Sequence, residues 1–319
     1  MQRILTCGAF RQSVSDWQYD ALTTYTRIVK TADKILILQT LPALIMIWAI
    51  LLSSTWADEP SPVNPVGSGN YFPAVDVEAE RKKRFDTKRR VCGQKGWENC
   101  DARLDDRLNL MIIGDSMAAD MQNIAWDIYG DEANYIFSDL GGCAPHDNLG
   151  PLLSARHPKT EECLALNRDR YARDFYRGVD AVFVSVMFGT YDADYLADYI
   201  HYLNGLGIDR VVVLGNYLVL GTDLPQILAG KTEFEARSVI ENQITRSFPH
   251  NAELKSSSEA LGFFYIDLEH ELCRPECMLF FDGNIPFTWD RFHLSREAAT
   301  YLARQLDERI RSYVSGEPR

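Results

Sequence analysis

The chain is short of positive charge: Lys and Arg number 33 against 45 Asp and Glu, for a formal net charge of −12. That balance excludes a nucleic-acid backbone as the main partner, since such binding rests on clustered cations that release condensed counterions. A neutral glycan or a small ester stays open. No internal repeat and no low-complexity tract is present. His146, His157, His201, His250 and His270 show no metal-ligand spacing, so each reads as a surface or loop residue and no metal site is expected. Long apolar runs are scarce too, and residues 35–52 stand out for that reason. What remains is ordinary: 319 residues, 46% hydrophobic and 24% charged, enough for a core of normal size.

Residues 35–52 carry no charge and approach the ~20 residues needed to cross a bilayer. Arg27, Lys30 and Lys34 precede the run, whereas Asp58 and Glu59 follow it. The positive-inside rule then leaves residues 1–34 as a cytoplasmic tail and exports the body. The run reads as an anchor over residues 35–56. A cleaved signal peptide ending near Thr55-Trp-Ala57 and a buried core helix are the alternatives.

Of the 7 cysteines, Cys7 precedes the run, and Cys92, Cys100, Cys143, Cys163, Cys273 and Cys277 follow it. An even number on the exported side fits an oxidising compartment. Sequence-near pairs are expected, Cys92–Cys100, Cys143–Cys163 and Cys273–Cys277, although other pairings are open. Cys273-Arg-Pro-Glu-Cys277 reads as a small disulfide loop, because a second half for a zinc site is lacking. A Pro/Gly/Ser-rich stretch from Asp58 to Asn70 opens a linker over residues 57–89. Its end, Glu78 to Arg90, includes Arg81-Lys-Lys-Arg84 and Lys88-Arg-Arg90 and reads as a solvated helix face, with contact to anionic lipid or glycan as the alternative.

From residue 108 the pattern alternates. Apolar, β-rich runs at Leu108–Ile113, Ala181–Val186, Arg210–Leu214 and Phe263–Ile266 are separated by helix-like stretches. These are Met117–Tyr129, Glu161–Tyr176, Asp192–Leu206 and Glu233–Phe248, with a last helix from Ser295 to about Ser312. Such alternation predicts βαβ units and a mostly parallel sheet covered on both faces over residues 90–319. Sites in these sheets form beyond the carboxyl ends of the strands. Tyr191, Tyr195, Tyr199 and Tyr202 recur at helical spacing and read as packing.

Two segments could carry chemistry. Gly114-Asp115-Ser116 follows the first strand and precedes a helix. Gly114 permits a tight turn, and the helix start favours developing negative charge at Ser116. Capping the helix is the alternative use of that serine. Asp290 and His293 lie three apart, just before a helix with Ser295 as its expected N-cap. At that spacing the carboxylate can orient the imidazole and leave Nε2 free as a base. Asp115 reads as a partner for local backbone groups.

Gly114-Asp115-Ser116 together with Asp290-Arg-Phe-His293-Leu-Ser295 resembles the SGNH/GDSL hydrolase superfamily. The closer resemblance is to the SGNH domain of bacterial membrane-linked polysaccharide O-acyltransferases. It takes in Cys92, Cys100 and Gly142-Cys143-Ala-Pro145. The resemblance implies a three-layer α/β/α flavodoxin-like fold and a triad of Ser116, His293 and Asp290. It also implies an oxyanion hole from the Ser116 amide and one from Gly141 or Gly142. No cofactor or metal is implied, because serine acyl transfer requires neither. The implied substrate is an acylated or acceptor polysaccharide, modified outside the cytoplasmic membrane. O-Acetyl transfer is the leading reading, with ester hydrolysis or a non-catalytic glycan-binding subunit as alternatives.

Two departures stand out. The family's Gly-x-Asn-Asp element is replaced by Val184-Ser-Val-Met-Phe188-Gly189-Thr190-Tyr191, which lacks its asparagine donor. In the fused enzymes the domain follows a many-helix membrane domain, whereas this chain has one candidate span, so transfer would need a separate membrane partner or a donor already outside.

Overall fold

The computed structural model describes residues 76–92, 103–104, 106–146, 160–187, 193–245, 249–273, 277–281 and 285–316. The expected tail, the anchor over residues 35–56, Cys100, His157 and Phe188–Tyr191 lie outside the described residues. Among the described residues no helix is long and apolar enough to cross a membrane.

Four of the predicted strands form where apolar β-formers cluster: β1 (Leu108–Gly114), β3 (Ala181–Ser185), β4 (Val211–Leu214) and β7 (Phe264–Ile266). A strand not expected from the sequence, β2 (Ala133–Asp139), completes a sheet ordered β2-β1-β3-β4-β7. Every pairing in it is parallel. Asn134, Ser138 and Asp139 break up the apolar run of β2, which its position at the sheet edge tolerates.

Side chains of β1 alternate between two cores, as a strand covered on both faces requires. Leu110 and Ile112 pack with α3 (Ala118–Tyr129) and α10 (Arg296–Ser315). Met111 and Ile113 pack with α5 (Ala193–Gly205) and with Leu254 of α8 (Pro249–Leu261). The result is a three-layer α/β fold on a parallel sheet. Helix α10 buries Leu302, Leu306, Ile310 and Val314 at helical spacing. Each such burial contributes about 2 kcal/mol. Ser295 caps the helix as expected, accepting the Ala298 amide at 3.0 Å.

Three expectations change. The helix predicted over Glu233–Phe248 ends as α7 (Glu233–Gln243). Ile244–Thr245 leave it to form β6, pairing antiparallel with β5 (Val219–Leu220), and Pro249 starts α8. The predicted Glu161–Tyr176 helix is α4 (Thr160–Arg170) followed by a separate 3-10 turn, Arg173–Tyr176. The charged run near residue 80 is two helices, α1 (Val77–Arg84) and α2 (Asp86–Cys92), and not a solvated face throughout. Arg84, Thr87 and Lys88 are buried in it because each meets a polar partner inside the domain.

The Cys143–Cys163 and Cys273–Cys277 disulfides form as the sequence spacing suggested. Cys92 is also disulfide-bonded.

Candidate active site

The carboxyl ends of β1 and β2 open onto a cleft of about 770 Å³. Ser116, Gly141, Asp290, His293 and Trp289 line it. Gly114 is the last residue of β1, and its lack of a side chain matters there. A Cβ at this position would stand 1.9 Å from the Ser185 carbonyl oxygen of neighbouring β3. The strand can therefore turn hard against the sheet, and Asp115 holds the turn from inside. Its Oδ1 accepts the Met117 amide at 2.8 Å and its Oδ2 the Met187 amide at 3.1 Å. Burial pushes the Asp115 carboxyl up from its ordinary value, which those two amides and the nearby His293 and Arg84 partly offset. This is the backbone-satisfying role expected of it.

Ser116 is not used as a cap: α3 begins after Met117, with no side-chain capping bond. Its Oγ instead stands 3.1 Å from His293 Nε2, a contact across 177 residues of sequence. His293 Nδ1 lies 2.5 Å from Asp290 Oδ2. An ionised carboxylate only accepts, so Nδ1 carries the proton and Nε2 presents its lone pair to the serine. Asp290 Oδ1 accepts the amides of Phe292 and His293 at 2.9 and 2.8 Å. Burial alone would raise the Asp290 carboxyl, but the His293 contact and these amides outweigh it and hold it below the usual carboxylate range.

Neighbouring elements fix the loop. Leu220 of β5 donates its amide to Arg291 O at 2.8 Å and accepts from Arg291 Nε at 3.0 Å. The Trp289 ring stacks near-parallel on His293, with centroids 5.7 Å apart.

Across the cleft, Leu140 to Cys143 form a tight turn closed by the Cys143 amide on Leu140 O at 2.9 Å. Gly142 takes the left-handed position there, φ 74°, which suits glycine. Gly141 lines the cleft with Ser116; Gly142 does not. Arg170, fully buried, braces this turn from α4. Its guanidinium donates to Gly114 O at 2.9 Å, Ser138 O at 2.5 Å and Cys143 O at 3.0 Å. A serine held by a partly buried base–carboxylate pair, at strand ends beside a glycine turn, is an arrangement for acyl transfer through a covalent ester.

The sequence matches the family model of the SGNH domain (fused to AT3 domains) over residues 82–308, more than half of the chain. The chain belongs to that SGNH family. It is accordingly an enzyme of the acyl-transfer or ester-hydrolase type. Among solved structures, the fold is similar to the periplasmic domain of a lipopolysaccharide acetyltransferase from Salmonella serovar Paratyphi A. The two are 17% identical, with 74% of this chain and 97% of that chain covered and a TM-score of 0.55. No match is found among curated proteins.

Several residues of the SGNH cleft were not singled out from sequence. Arg84 and Lys88, one helical turn apart, reach it from α1 and α2. Lys88 Nζ pairs with Asp139 Oδ1 at 2.6 Å, and Gln122 Nε2 reaches the same oxygen at 3.0 Å. Burial lowers the Lys88 ammonium from its ordinary value despite Asp139. Trp289 was missed as well. For Arg84 and Lys88 the signal available was their place in the basic run Arg81–Arg90, but nothing in the run says which cations turn inward.

Among the described residues no His/Cys/Asp/Glu group could hold a metal ion. His146, expected as a surface or loop residue, lies in a loop but is buried there, edge-on to Tyr195 with centroids 4.0 Å apart. Tyr199 is fully buried, its hydroxyl 2.5 Å from that of Tyr176, as packing predicts.

Proposed function

We propose that this protein is an extracytoplasmic O-acyltransferase, acting with acetyl groups on a cell-wall or surface polysaccharide through Ser116, His293 and Asp290. The observation that carries this reading is the unbroken contact chain Ser116 Oγ–His293 Nε2–His293 Nδ1–Asp290 Oδ2. His293 Nε2 takes the Ser116 hydroxyl proton as Oγ attacks the acyl carbonyl carbon. The tetrahedral oxyanion is met by the Ser116 amide and by an amide of the Gly141–Gly142 turn. As the ester bond breaks, His293 returns the proton to the leaving alcohol and leaves the acyl group on Oγ. A sugar hydroxyl then gives its proton to Nε2, attacks the acyl-enzyme and frees the serine. Asp290 holds the imidazole in one tautomer and offsets the charge it gains.

Export of the domain is supported by its disulfides and by the charge flanks of residues 35–52. The similarity to a lipopolysaccharide acetyltransferase domain supports acetyl as the group and a polysaccharide as the acceptor. A family whose domain is fused to AT3 domains supports a separate membrane acyltransferase as the source of acyl groups.

The test is full-length protein turning over p-nitrophenyl acetate, with and without chitotetraose. Turnover lost in Ser116→Ala and His293→Ala, with acetyl appearing on the sugar, is the expected result. Acetate released to water alone would make the protein an esterase. A folded protein that neither turns over the ester nor reacts with a fluorophosphonate would overturn the enzymatic role of Ser116.

A further inference from the structure

Arg84 enters the site from outside the alternating βα framework. It ends α1, is 3% exposed, and divides its guanidinium fork between two acceptors. Nε donates to Asp120 Oδ1 at 2.7 Å, and Nη2 donates to the backbone carbonyl of Ser116. Asp120, wholly buried in the first turn of α3, uses its other oxygen on the far side of the cleft. Its Oδ2 accepts the amide of Leu294, the residue after His293, at 3.3 Å. One buried ion pair thus holds the main chain of the expected nucleophile and the main chain beside its base. The helix bearing Arg84 is itself fixed, since Asn123 donates to Arg84 O at 2.9 Å and accepts from Thr87 Oγ1 at 2.7 Å.

Stability alone is a poor reason for this arrangement. A buried ion pair is commonly matched or exceeded by well-packed apolar side chains, because desolvation offsets its Coulombic gain. What the guanidinium adds is direction: a planar fork fixes two acceptors at once. The two groups that must meet, Ser116 and His293, lie 177 residues apart and touch at 3.1 Å.

We infer that Arg84 and Asp120 are positioning residues of the site: jointly they set the approach of Ser116 Oγ to His293 Nε2. This rests on Ser116 being the nucleophile, and the controls separate the two claims.

The experiment uses the full-length protein with p-nitrophenyl acetate as substrate. Active sites are counted by complete fluorophosphonate labelling, and thermal unfolding is followed alongside. The double variant Arg84→Met/Asp120→Asn removes both charges and leaves none buried alone. Its kcat per labelled site should fall roughly tenfold to a hundredfold, the scale of a slightly misplaced catalytic group, with KM little changed. Arg84→Lys keeps the charge opposite Asp120 and loses the second arm. It should restore the unfolding midpoint without restoring kcat. Unchanged kcat per labelled site in the double variant overturns the inference, as does a loss that only tracks the folded fraction. Should the double variant not fold, full kcat in Arg84→Lys overturns it equally. Undiminished turnover in Ser116→Ala removes the nucleophile reading itself, whereas an inert Ser116→Ala beside a fully active double variant removes only the positioning role.

Discussion

The two regions that converge on Ser116 are built by opposite means. Within the Asp290–His293 loop, though β5 anchors it, the imidazole is oriented by contacts three residues or fewer apart: one carboxylate meets the imidazole and two amides of its own turn. The α1–α2 pair reaches the same cleft through ion pairs separated by 36 and 51 residues, Arg84–Asp120 and Lys88–Asp139. A local constraint forms wherever the loop forms and says little about the rest of the chain. A remote one exists only when sheet, helices and charged run have all assembled, so it reports on the whole domain. The proposed base and its carboxylate sit in the first region, and the inferred positioning pair reaches from the second.

That contrast can be broken most severely at Asp290. Asp290→Asn keeps the shape of the loop and disrupts the tautomer of His293. We expect turnover of an acetyl ester to fall by about 10⁴-fold with only a small loss of unfolding midpoint, measured by steady-state kinetics beside calorimetry. Lys88→Met should behave the other way. It leaves Asp139 inside without its ammonium, where the two side chains are only 6% and 12% exposed. A loss of about 3 kcal/mol in denaturant-derived stability is expected. A variant as stable as wild type would show that the remote region does not brace the fold.

The same divide orders the disulfides. Cys143 and Cys163 are 20 apart and tie α4 to the glycine turn, whereas Cys273 and Cys277 are 4 apart. Loop-closure entropy gives about 3 kcal/mol for the long bridge and about 2 kcal/mol for the short one. Paired serine replacements followed by urea unfolding should reproduce that order. Only loss of the long bridge should also slow acyl transfer, because Arg170 bonds Cys143 O and Gly114 O together.

What the sequence made legible follows the same line. β1, β3, β4 and β7 declared themselves because strands buried on both faces are short runs of Val, Ile, Leu and Phe. β2 did not, because Asn134, Ser138 and Asp139 interrupt its apolar run, whereas β7, at the opposite edge, keeps an unbroken Phe264-Tyr-Ile266. Helix α7 ran on too far in the sequence reading because Ile244 continues its apolar spacing. Only pairing with Leu220 of β5 turns that residue into strand. Ser116, Asp290 and His293 were legible as two motifs with a resemblance to join them. Arg84 and Lys88 were not, since a cation on a charged helix is normally solvated and its inward turn is decided by a partner far along the chain.

Acidity offers a finer probe of the local region. The folded Asp290 carboxyl is depressed below its unfolded value, so its contribution to stability is present above that unfolded value and is lost as pH falls through the folded one. The stability difference between wild type and Asp290→Asn should be flat above about pH 5 and shrink on further acidification. A difference that grew on acidification would contradict the direction of the shift.

The smallest effect is expected where the same spacing lacks burial. Arg177 and Asp174 form an ion pair three residues apart at 2.8 Å, the spacing of Asp290 and His293, yet their side chains are 81% and 85% exposed. Water screens the attraction there, and holding two mobile side chains together opposes what remains. Arg177→Ala should leave the unfolding midpoint and acetyl-ester turnover within error of wild type. A measurable loss would mean that spacing alone, without the enclosure given by β5 and Trp289, is enough to make such a pair count.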